Sequence, residues 1–394
     1  MRVSVVILNY GTEPAMLVAA VRSVLASNMT GAGASPDNNG VPVENDVLVE
    51  HDVLVENGVL VEVLVADNAS PRHREDAHRA IVDLANRNTN DDIAVRWLGL
   101  DHNYGFAGGN NRAIEACDAR ADAIFLLNPD ATVAPNAIAA CVSRLASQPV
   151  SVVSVAPKIL LQRSVGSPTE PILDAIGNAV NERGEAFNIG LGQPDLGQYD
   201  VSGTCFGPCF AAGLFRRSAF GRSQVGPLDE SLFLYYEDVD WNWRAQLLGY
   251  SSVTEPSAIV HHIMSATNRH LGYGFKFHLT ERNLLLCSLK HFERRRAASI
   301  WLHRIGGLVR GSLRGHFPLD GLRAVAGAFR RAPHALAVRR GLQRRRVRSD
   351  AAILAFGHGE RTYFDAVRYE PIERDAAERF ASARLAELRR RSAP

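Results

Sequence analysis

Short apolar runs alternate with segments of helical periodicity over the first 150 positions. The run RVSVVILNYG is β-branched and stops at a turn, which predicts a buried strand, and VEVLVADNAS, IAVRWLGL and ADAIFLLNPDATV predict three further strands. The segment EPAMLVAAVRSVLAS has apolar residues at helical spacing. Strands that alternate with helices predict an α/β fold with a mostly parallel, doubly wound sheet, whose chemistry lies at the carboxyl ends of the strands.

A repeat interrupts this pattern between the first helix and the second strand. The hexad Asn/His-Asp/Gly-Val-Leu-Val-Glu occurs three times, beginning at positions 45, 51 and 57. Three hexads are too few to bury a core, so we interpret residues 28–58 as a loop insertion without chemistry. Because loop length costs little free energy, deletion of residues 30–57 should preserve folding and donor binding.

The pattern changes near position 266, where helices with apolar faces and arginine-rich opposite faces begin. We therefore predict a domain over residues 1–265 and a basic amphipathic helical region over residues 266–394. Between Lys290 and Arg348 sixteen Lys and Arg face two acids, a net charge of about +14 in a chain whose total is +2. Such a segment predicts contact with an anionic membrane surface, whereas its few aromatic residues argue against nucleic-acid binding. A solvated helical subdomain is the alternative.

The N-terminal residues and the cysteines indicate the cellular compartment of the protein. The N-terminal apolar run is too short for a signal peptide, and no stretch reaches the roughly 18 apolar residues that span a bilayer. Five cysteines without a second Cys/His pair beside Cys205 and Cys209 favour reduced thiols over a zinc site. The expected location is the cytoplasm, peripheral to the inner face of the cell membrane.

Polar clusters end the predicted strands, where ligands of such sheets bind. Asp67 can contact a nucleotide or cap a turn. The glycines of NYGFAGGNN, which we interpret as a loop opening a helix, can admit a phosphate or form a plain turn. Asp130, at the end of LLNPD, can hold a divalent cation or occupy a turn, and His261 or His262 offers a further ligand or a satisfied buried side chain.

The stretch LFLYYEDVDWNWR, residues 232–244, sets three carboxylates among aromatic and aliphatic residues. The acids can simply occupy the first turn of an amphipathic helix, where the helix dipole favours them. Alternatively, a carboxylate in a semi-apolar pocket has a raised pKa and can act as a base. Neighbouring carboxylates on a helix point about 100° apart, so we expect only one of Glu237 and Asp238 to face a substrate. Asp240 should face away and pair with Arg244.

Taken in order, the motifs resemble a known family. SVVILNY, VLVADNAS, NYGFAGGNNRAI, FLLNPDATV, GPLDESLFLYYEDVDWNWRAQLLGY and the later VHH are similar to those of family 2 glycosyltransferases, in their rhamnosyltransferase-like branch. The resemblance covers roughly residues 1–270 and is most specific at the Glu-Asp-x-Asp stretch, while Arg282 and Asn283 form an RN pair that recurs in that branch. The repeat insertion is not part of the family pattern, and Asn128 stands where a full DXD motif has an acid.

The resemblance implies a GT-A fold, a nucleotide-diphospho-sugar donor and inverting transfer, with L-rhamnose as the family-level sugar and Mg²⁺ or Mn²⁺ as cofactor. The implied acceptor is a saccharide or polyprenyl-linked hydroxyl in cell-envelope polysaccharide synthesis. The implied site residues are Asp238 as base and Glu237 as supporting acid; Asn9, Tyr10, Asp67, Asn103, Gly105, Gly108, Asn110, Arg112 and Asn128 for the donor; Asp229, Tyr236 and Trp241 for the acceptor; and Asp130 with His261 for the metal.

Two other classes of function stay open from the sequence alone. The first is an enzyme that binds a nucleotide but transfers a nucleotidyl group. The second is a non-catalytic membrane- or nucleic-acid-binding module that acts through the basic region. The product released from a nucleotide sugar distinguishes them, because a glycosyltransferase releases nucleoside diphosphate, a nucleotidyltransferase handles pyrophosphate, and a binding module releases neither.

Overall fold

The computed structural model describes residues 1–27, 59–88, 93–162, 171–263, 272–315, 318–365, 370–371 and 373–391. The N-terminal elements are β1 (Arg2–Asn9), α1 (Pro14–Leu25), β2 (Val59–Asp67), α2 (Arg74–Asn86), β3 (Ala94–Gly99), α3 (Gly105–Ala116), β4 (Ala123–Leu127), β5 (Ala131–Val133), α4 (Ala137–Ala146) and β6 (Val152–Leu161). The predicted loop insertion, residues 28–58, lies outside the described residues, and the last four residues of the third hexad begin β2.

Short elements and then long helices complete the chain. The middle contains β7 (Leu173–Ala175), β8 (Asn178–Val180), β9 (Ala186–Asn188), β10 (Thr204–Cys205), β11 (Ala212–Arg216), α5 (Glu237–Leu247) and β12 (Ser251–His262). The C-terminal part contains α6 (Tyr273–His291), α7 (Arg294–Leu313), α8 (Pro318–Arg344), α9 (Asp350–Leu354), β13 (Phe364–Asp365), β14 (Glu370–Pro371) and α10 (Arg374–Arg391). Two 3-10 helices span Arg217–Phe220 and Ala355–Gly357.

The central sheet has the strand order β10-β12-β6-β11-β4-β1-β2-β3. Strands β3, β2, β1 and β4 are parallel, as the alternation of strands and helices predicted. Strand β11 then runs antiparallel between β4 and β6, which the sequence pattern did not indicate. The predicted α/β fold with a mostly parallel sheet is confirmed, and its parallel half brings the ends of β1, β2, β3 and β4 to one edge.

Apolar side chains pack on both faces of the sheet, which explains why the strands are apolar throughout. One cluster joins β1, β2 and β4 to α1, α2 and α4. A second, on the other face, joins α3 and the side of α5 that carries Trp241 and Ala245 to the sheet. A third unites α5 with α6, α7 and α8. Helix α5 is therefore packed between the sheet and the C-terminal helices.

The C-terminal helices form a layer of their own, in which α6 packs against both α7 and α8. Several large apolar residues of α7 and α8 are nevertheless exposed: Leu302, Leu313, Leu319, Leu322, Phe329 and Leu336. Among the described residues, no helix combines the length and apolarity that a membrane span requires.

Candidate active site

A cleft of about 1100 Å³ lies at the carboxyl ends of the central strands. Its walls come from the ends of β1 and β4, from β7 to β9, from the turn before α5 and from the first turns of α6. Residues 360–363 of the C-terminal region also contribute. Glu237, Asp238 and Asp130 all line this cleft, so the candidate base and the candidate metal ligand meet in one place.

Glu237 and Asp238 open helix α5 at the cleft. The carboxylate of Asp238 is half-buried, and it accepts hydrogen bonds from Asn178 Nδ2 at 3.0 Å and from the Val239 backbone N–H at 2.7 Å. Burial raises the pKa of Asp238 above its ordinary value, although these donors oppose the shift. Burial and the neighbouring Asp238 raise the pKa of Glu237 well above its ordinary value.

Helix geometry predicted that only one of these two acids would face a substrate. Both acids line the cleft, at the first two positions of α5. Glu237 is 7% exposed, and its Oε2 has no hydrogen-bond partner within the described part of the chain. A buried carboxyl oxygen that lines a cleft and lacks a partner is available to a ligand.

The turn before α5 is strained. Phe233, Tyr235 and Tyr236 have φ values of 68°, 67° and 71°. This left-handed region is unfavourable for residues other than glycine, and strain of this kind concentrates at functional sites where the surroundings enforce it. All three residues line the cleft. The turn therefore aims both the aromatic side chains and the acids that follow them.

Asn283, on α6, supports this turn. Its fully buried Nδ2 donates to the carbonyl oxygens of Leu232, Leu234 and Tyr235 at 2.9, 2.9 and 2.7 Å. These bonds satisfy carbonyls that the strained backbone leaves outside any helix or strand. No role for Asn283 beyond the RN pair was predicted, because no local pattern reveals a contact between positions about 50 residues apart.

We expect Asn283→Ala to lower kcat by about 10²-fold while the Kd for the donor nucleotide changes little. Leu234 O and Tyr235 O lose their side-chain donor and Leu232 O keeps only Arg282, so the turn relaxes. A displacement of the acids by about 1 Å is enough for such a loss. Steady-state kinetics and nucleotide calorimetry measure the two quantities. Gln343→Ala is the matched control, since Gln343 Nε2 also donates to two backbone carbonyls, but at the α6–α8 contact away from the cleft. Equal kinetic losses in both variants would mean that Asn283 acts only through stability.

The second charged group of the cleft is centred on His262, the last residue of β12. Its Nδ1 lies 2.6 Å from Asp174 Oδ2, and its Nε2 lies 3.3 Å from Asp130 Oδ1. Burial lowers the pKa of His262, but the two carboxylates more than reverse this and raise it to about 10. Asp174, on β7, was not predicted, because its strand is only three residues long in a Gly- and Pro-rich segment.

The choice of His261 as the metal ligand is corrected by this geometry. Side chains alternate along a strand, and on β12 this alternation turns His262 inward and leaves His261 exposed. His261 does not line the cleft, whereas His262 does. The sequence could not fix this phase, because the register of β12 against β6 shifts between Glu255 and Ile259.

The pair Asp130 and His262 fits a divalent cation. His262 Nε2 is buried and makes no hydrogen bond among the described residues, although it faces the carboxylate of Asp130. Carboxylate oxygens suit Mg²⁺ and Mn²⁺, and an imidazole nitrogen favours the transition metal. Asp174, on the other ring nitrogen, would orient the imidazole, as carboxylates commonly do for ligating histidines.

Asp67, predicted to contact the nucleotide, is fully buried and already engaged. Its carboxylate accepts from Asn9 Nδ2 at 2.9 Å, lies 2.9 Å from Arg74 Nε and also bonds Ser70. Neither Asn9 nor Asp67 lines the cleft. They join the ends of β1 and β2, and their direct contact with the donor stays a prediction.

The glycine segment is helix rather than loop, because α3 begins at Gly105 itself. A Cβ on Gly108 would lie 2.9 Å from Tyr104 Cβ, and one on Gly109 would lie 2.7 Å from Leu8 Cδ1. These two glycines permit close packing around α3, and they lie within the helix rather than in either the phosphate loop or the plain turn that the sequence left open. Gly105, at φ 71°, does line the cleft.

The other predicted donor residues divide into two groups. Tyr10, Asn103 and Asn128 line the cleft. Asn110 and Arg112 do not: Asn110 Nδ2 donates to Phe106 O at 2.9 Å within α3, and Arg112 stacks on the Tyr104 ring at 3.4 Å. Arg112 also pairs with Glu230 at 3.0 Å. Asn110 and Arg112 therefore stabilise α3 and its surroundings.

Of the predicted acceptor residues, only Tyr236 lines the cleft, and its hydroxyl donates to Gly184 O at 3.2 Å. Trp241 is fully buried in the core, where its Nε1 donates to Gly226 O at 2.9 Å. Asp229 forms an ion pair with Lys290 at 2.8 Å. Neither Trp241 nor Asp229 lines the cleft, so their contact with the acceptor stays a prediction that the cleft lining does not support.

Asp240 pairs with Arg244 at 3.0 Å, as expected, but it is also fully buried and contacts Lys290 and His291 of α6. Although burial raises its pKa, Lys290 and Arg244 hold the pKa well below the ordinary value. Asp240, Cys287 and His291 could geometrically hold a metal ion. The ammonium of Lys290 already occupies this position, so the group is an ion-pair network that joins α5 to α6.

The fold and the cleft define an α/β enzyme whose site lies at the carboxyl edge of its sheet. Residues 49–220 match the model of Glycosyl transferase family 2. Over 70 residues the chain is 46% identical to the N-acetylglucosaminyl-diphospho-decaprenol L-rhamnosyltransferase of two Mycobacterium tuberculosis strains. That stretch is 18% of this chain and spans about a fifth, 20%, of the curated relatives it matches.

Solved structures of glycosyltransferases are also similar. GalNAc-T7 with UDP, GalNAc and Mn²⁺ has a TM-score of 0.48 at 14% identity, over 66% of this chain and 43% of that one. A Pyrobaculum calidifontis mannosyltransferase with GDP-Man and Mn²⁺ has a TM-score of 0.46 at 15% identity, over 97% and 86%. Residues 49–220 are thus similar to glycosyltransferase family 2, the family that the motifs resemble.

Proposed function

We propose that the protein is an inverting glycosyltransferase that moves a sugar from a nucleotide-diphospho-sugar to a hydroxyl of a lipid-linked saccharide in envelope polysaccharide synthesis. The observation that carries the proposal is one cleft, in a family 2 domain, lined by Glu237 and Asp238 on one side and by Asp130 and His262 on the other. Glu237 and Asp238 are suited to removing a proton, and Asp130 and His262 are suited to holding a cation on a diphosphate.

In the proposed reaction Asp238 removes the proton of the acceptor hydroxyl while that oxygen attacks the anomeric carbon. The bond from the anomeric carbon to the diphosphate breaks on the opposite face, and the nucleoside diphosphate leaves with the electron pair. Mg²⁺ or Mn²⁺ held by Asp130 and His262 would neutralise the charge that grows on the leaving group. Tyr235 and Tyr236, on the turn before α5, supply flat faces for a sugar ring.

We further propose L-rhamnose as the sugar, because the curated relatives are named as L-rhamnosyltransferases. The test incubates the purified protein with Mn²⁺ and nucleotide sugars that carry rhamnose, galactofuranose, glucose or N-acetylglucosamine. Release of nucleoside diphosphate, with sugar appearing on a lipid-linked acceptor, supports the proposal. Release of sugar 1-phosphate would assign nucleotidyl transfer instead, and the absence of both products would leave a binding module.

We also propose that the C-terminal helices bring the enzyme to the inner face of the cell membrane. Leu319, Leu322, Phe329 and Leu336 are exposed along α8, among arginines of the segment that carries about +14. Near an anionic surface each basic residue contributes about 1 kcal/mol. Co-sedimentation with anionic vesicles but not with neutral ones supports this location, and equal binding to both would overturn it.

A further inference from the structure

An arginine without a counter-ion lies between α6 and α8. Arg282 is only 4% exposed; its Nη2 donates to Leu232 O at 2.6 Å and its Nε donates to Asn283 Oδ1 at 2.9 Å. Within the described ranges no carboxylate forms an ion pair with it. A guanidinium that is buried without an opposite charge is costly, so the folded chain keeps a positive charge there that an anion would stabilise.

Further cations surround Arg282. Helices α6 and α8 approach closely at Gly327, where a Cβ would lie 3.0 Å from Arg282 Cδ and 3.7 Å from His278 Nε2. One turn further along α8 are the exposed Arg330 and the half-buried Arg331, for which no hydrogen bond or ion pair is found among the described residues. Burial, together with the nearby Arg331 and Arg330, lowers the pKa of Arg282 to about 10.

The cluster of Arg282, Arg330, Arg331 and His278 lies close to the cleft. Leu232, which accepts from Arg282, directly precedes Phe233 in the cleft wall. On α6, Phe275, His278 and Arg282 follow one another at helical spacing, and Phe275 also lines the cleft. The cluster therefore lies next to the cleft, on the side where α6 begins.

Apolar surface lies beside the same cations. Leu322 and Phe329 are 48% and 56% exposed on α8, and with Leu319 they recur at spacings of three and seven residues. Such spacing places them on one face of the helix, next to Arg323 and Arg330. A ligand that joins an anion to a hydrocarbon chain matches this combination.

We propose that Arg282, Arg330 and Arg331, with His278, bind the diphosphate group of a polyprenyl-diphosphate-linked acceptor, whose sugar enters the cleft and whose chain lies along α8. The proposal rests on the proposed function and names its acceptor class. Arginine is suited to binding a diphosphate because the planar guanidinium binds phosphate oxygens through two parallel hydrogen bonds. Several cations match the charge of a diphosphate better than that of a single carboxylate.

The test compares Arg330→Gln/Arg331→Gln with the control Arg340→Gln/Arg344→Gln, which removes the same charge from exposed positions of the same helix. Arg282 stays unchanged, so that both variants keep the buried contacts of α6. Calorimetry measures inorganic pyrophosphate binding in chelator, which suppresses the metal site. Kinetics measure transfer to one sugar carried either by a short polyprenyl diphosphate or by an octyl group without phosphate.

The expected result is a KM for the diphosphate acceptor raised at least about 10-fold in Arg330→Gln/Arg331→Gln, with pyrophosphate binding weakened and transfer to the octyl glycoside unchanged. The control should match the wild type. An unchanged KM would overturn the proposal, as would a loss seen only in binding to phosphatidylglycerol vesicles, which would assign the cluster to membrane lipid. Arginine-dependent pyrophosphate binding without reaction of any nucleotide sugar would contradict the proposed function and leave the anion site standing.

Discussion

Asp238→Asn should keep the fold and donor binding and lower the rate of sugar transfer by at least about 10²-fold, the low end of what a positioned general base contributes. Asparagine keeps the size of the side chain and can still accept from Asn178 or Val239, so the start of α5 should stay in place. What it cannot do is take a proton. Transfer rates at saturating donor and acceptor measure the loss, and thermal melting with nucleotide calorimetry checks the fold and the donor site.

The pH dependence of kcat tests the role of Asp238 by a second measurement. A general base acts only when ionised, and burial raises the pKa of Asp238, so kcat of the wild type should rise with pH through a pKa above the ordinary aspartate value. The Asp238→Asn variant should lose this dependence, because the group that titrates is gone. An acid limb that persists in the variant would belong to another residue.

Glu237→Gln is the matched control. Glu237 lines the same cleft, but its pKa is raised well above the ordinary value by burial and by Asp238, which favours the neutral acid. Glutamine imitates a neutral carboxyl group, so we expect a smaller loss than in Asp238→Asn. If Asp238→Asn transfers sugar normally while Glu237→Gln is inactive, the base is Glu237.

The sequence predicted the parallel half of the sheet because its signals are local. Each strand is a short apolar run that stops at polar residues, and such runs are typical of strands buried on both faces. The antiparallel β11 was not predicted, because AGLFR looks like any other short apolar run and its direction depends on which neighbours it pairs with. Strand direction is a tertiary property.

Within the site, motif positions were predicted better than side-chain directions. The Glu-Asp-x-Asp stretch does open a helix at the cleft, yet Trp241 is core and Glu237 faces the cleft together with Asp238. Helical periodicity predicts which side of a helix faces the core, but it predicts little about the directions of the side chains in the first turn. Asp174 carries no signal that would distinguish it from any other aspartate in a Gly- and Pro-rich segment.

His262→Ala should weaken Mn²⁺ binding by at least about 10²-fold, whereas His261→Ala should leave it unchanged. The two residues are adjacent, but only His262 faces Asp130, at 3.3 Å, while His261 is exposed on the other face of β12. Loss of an outer partner of a ligand typically costs about 10- to 100-fold in metal affinity, so loss of the ligand itself should cost at least the upper value. The amplitude of the free Mn²⁺ signal in electron paramagnetic resonance measures binding independently of catalysis.

The Asp174→Asn variant tests the orientation of the His262 imidazole separately from the binding of Mn²⁺ by His262. Asparagine can keep a hydrogen bond to His262 Nδ1 but removes the charge that now lies 2.6 Å away, so Mn²⁺ affinity should fall by about 10- to 100-fold, no more than in His262→Ala. Asp130→Asn should weaken Mn²⁺ binding and donor binding together, because an amide oxygen is a poorer ligand for a hard cation. If His261→Ala loses Mn²⁺ and His262→Ala retains it, the inward face of β12 is not the metal site.

Full transfer activity in excess chelator would remove the metal from the mechanism and leave Asp130 and His262 as an ion pair that shapes the cleft.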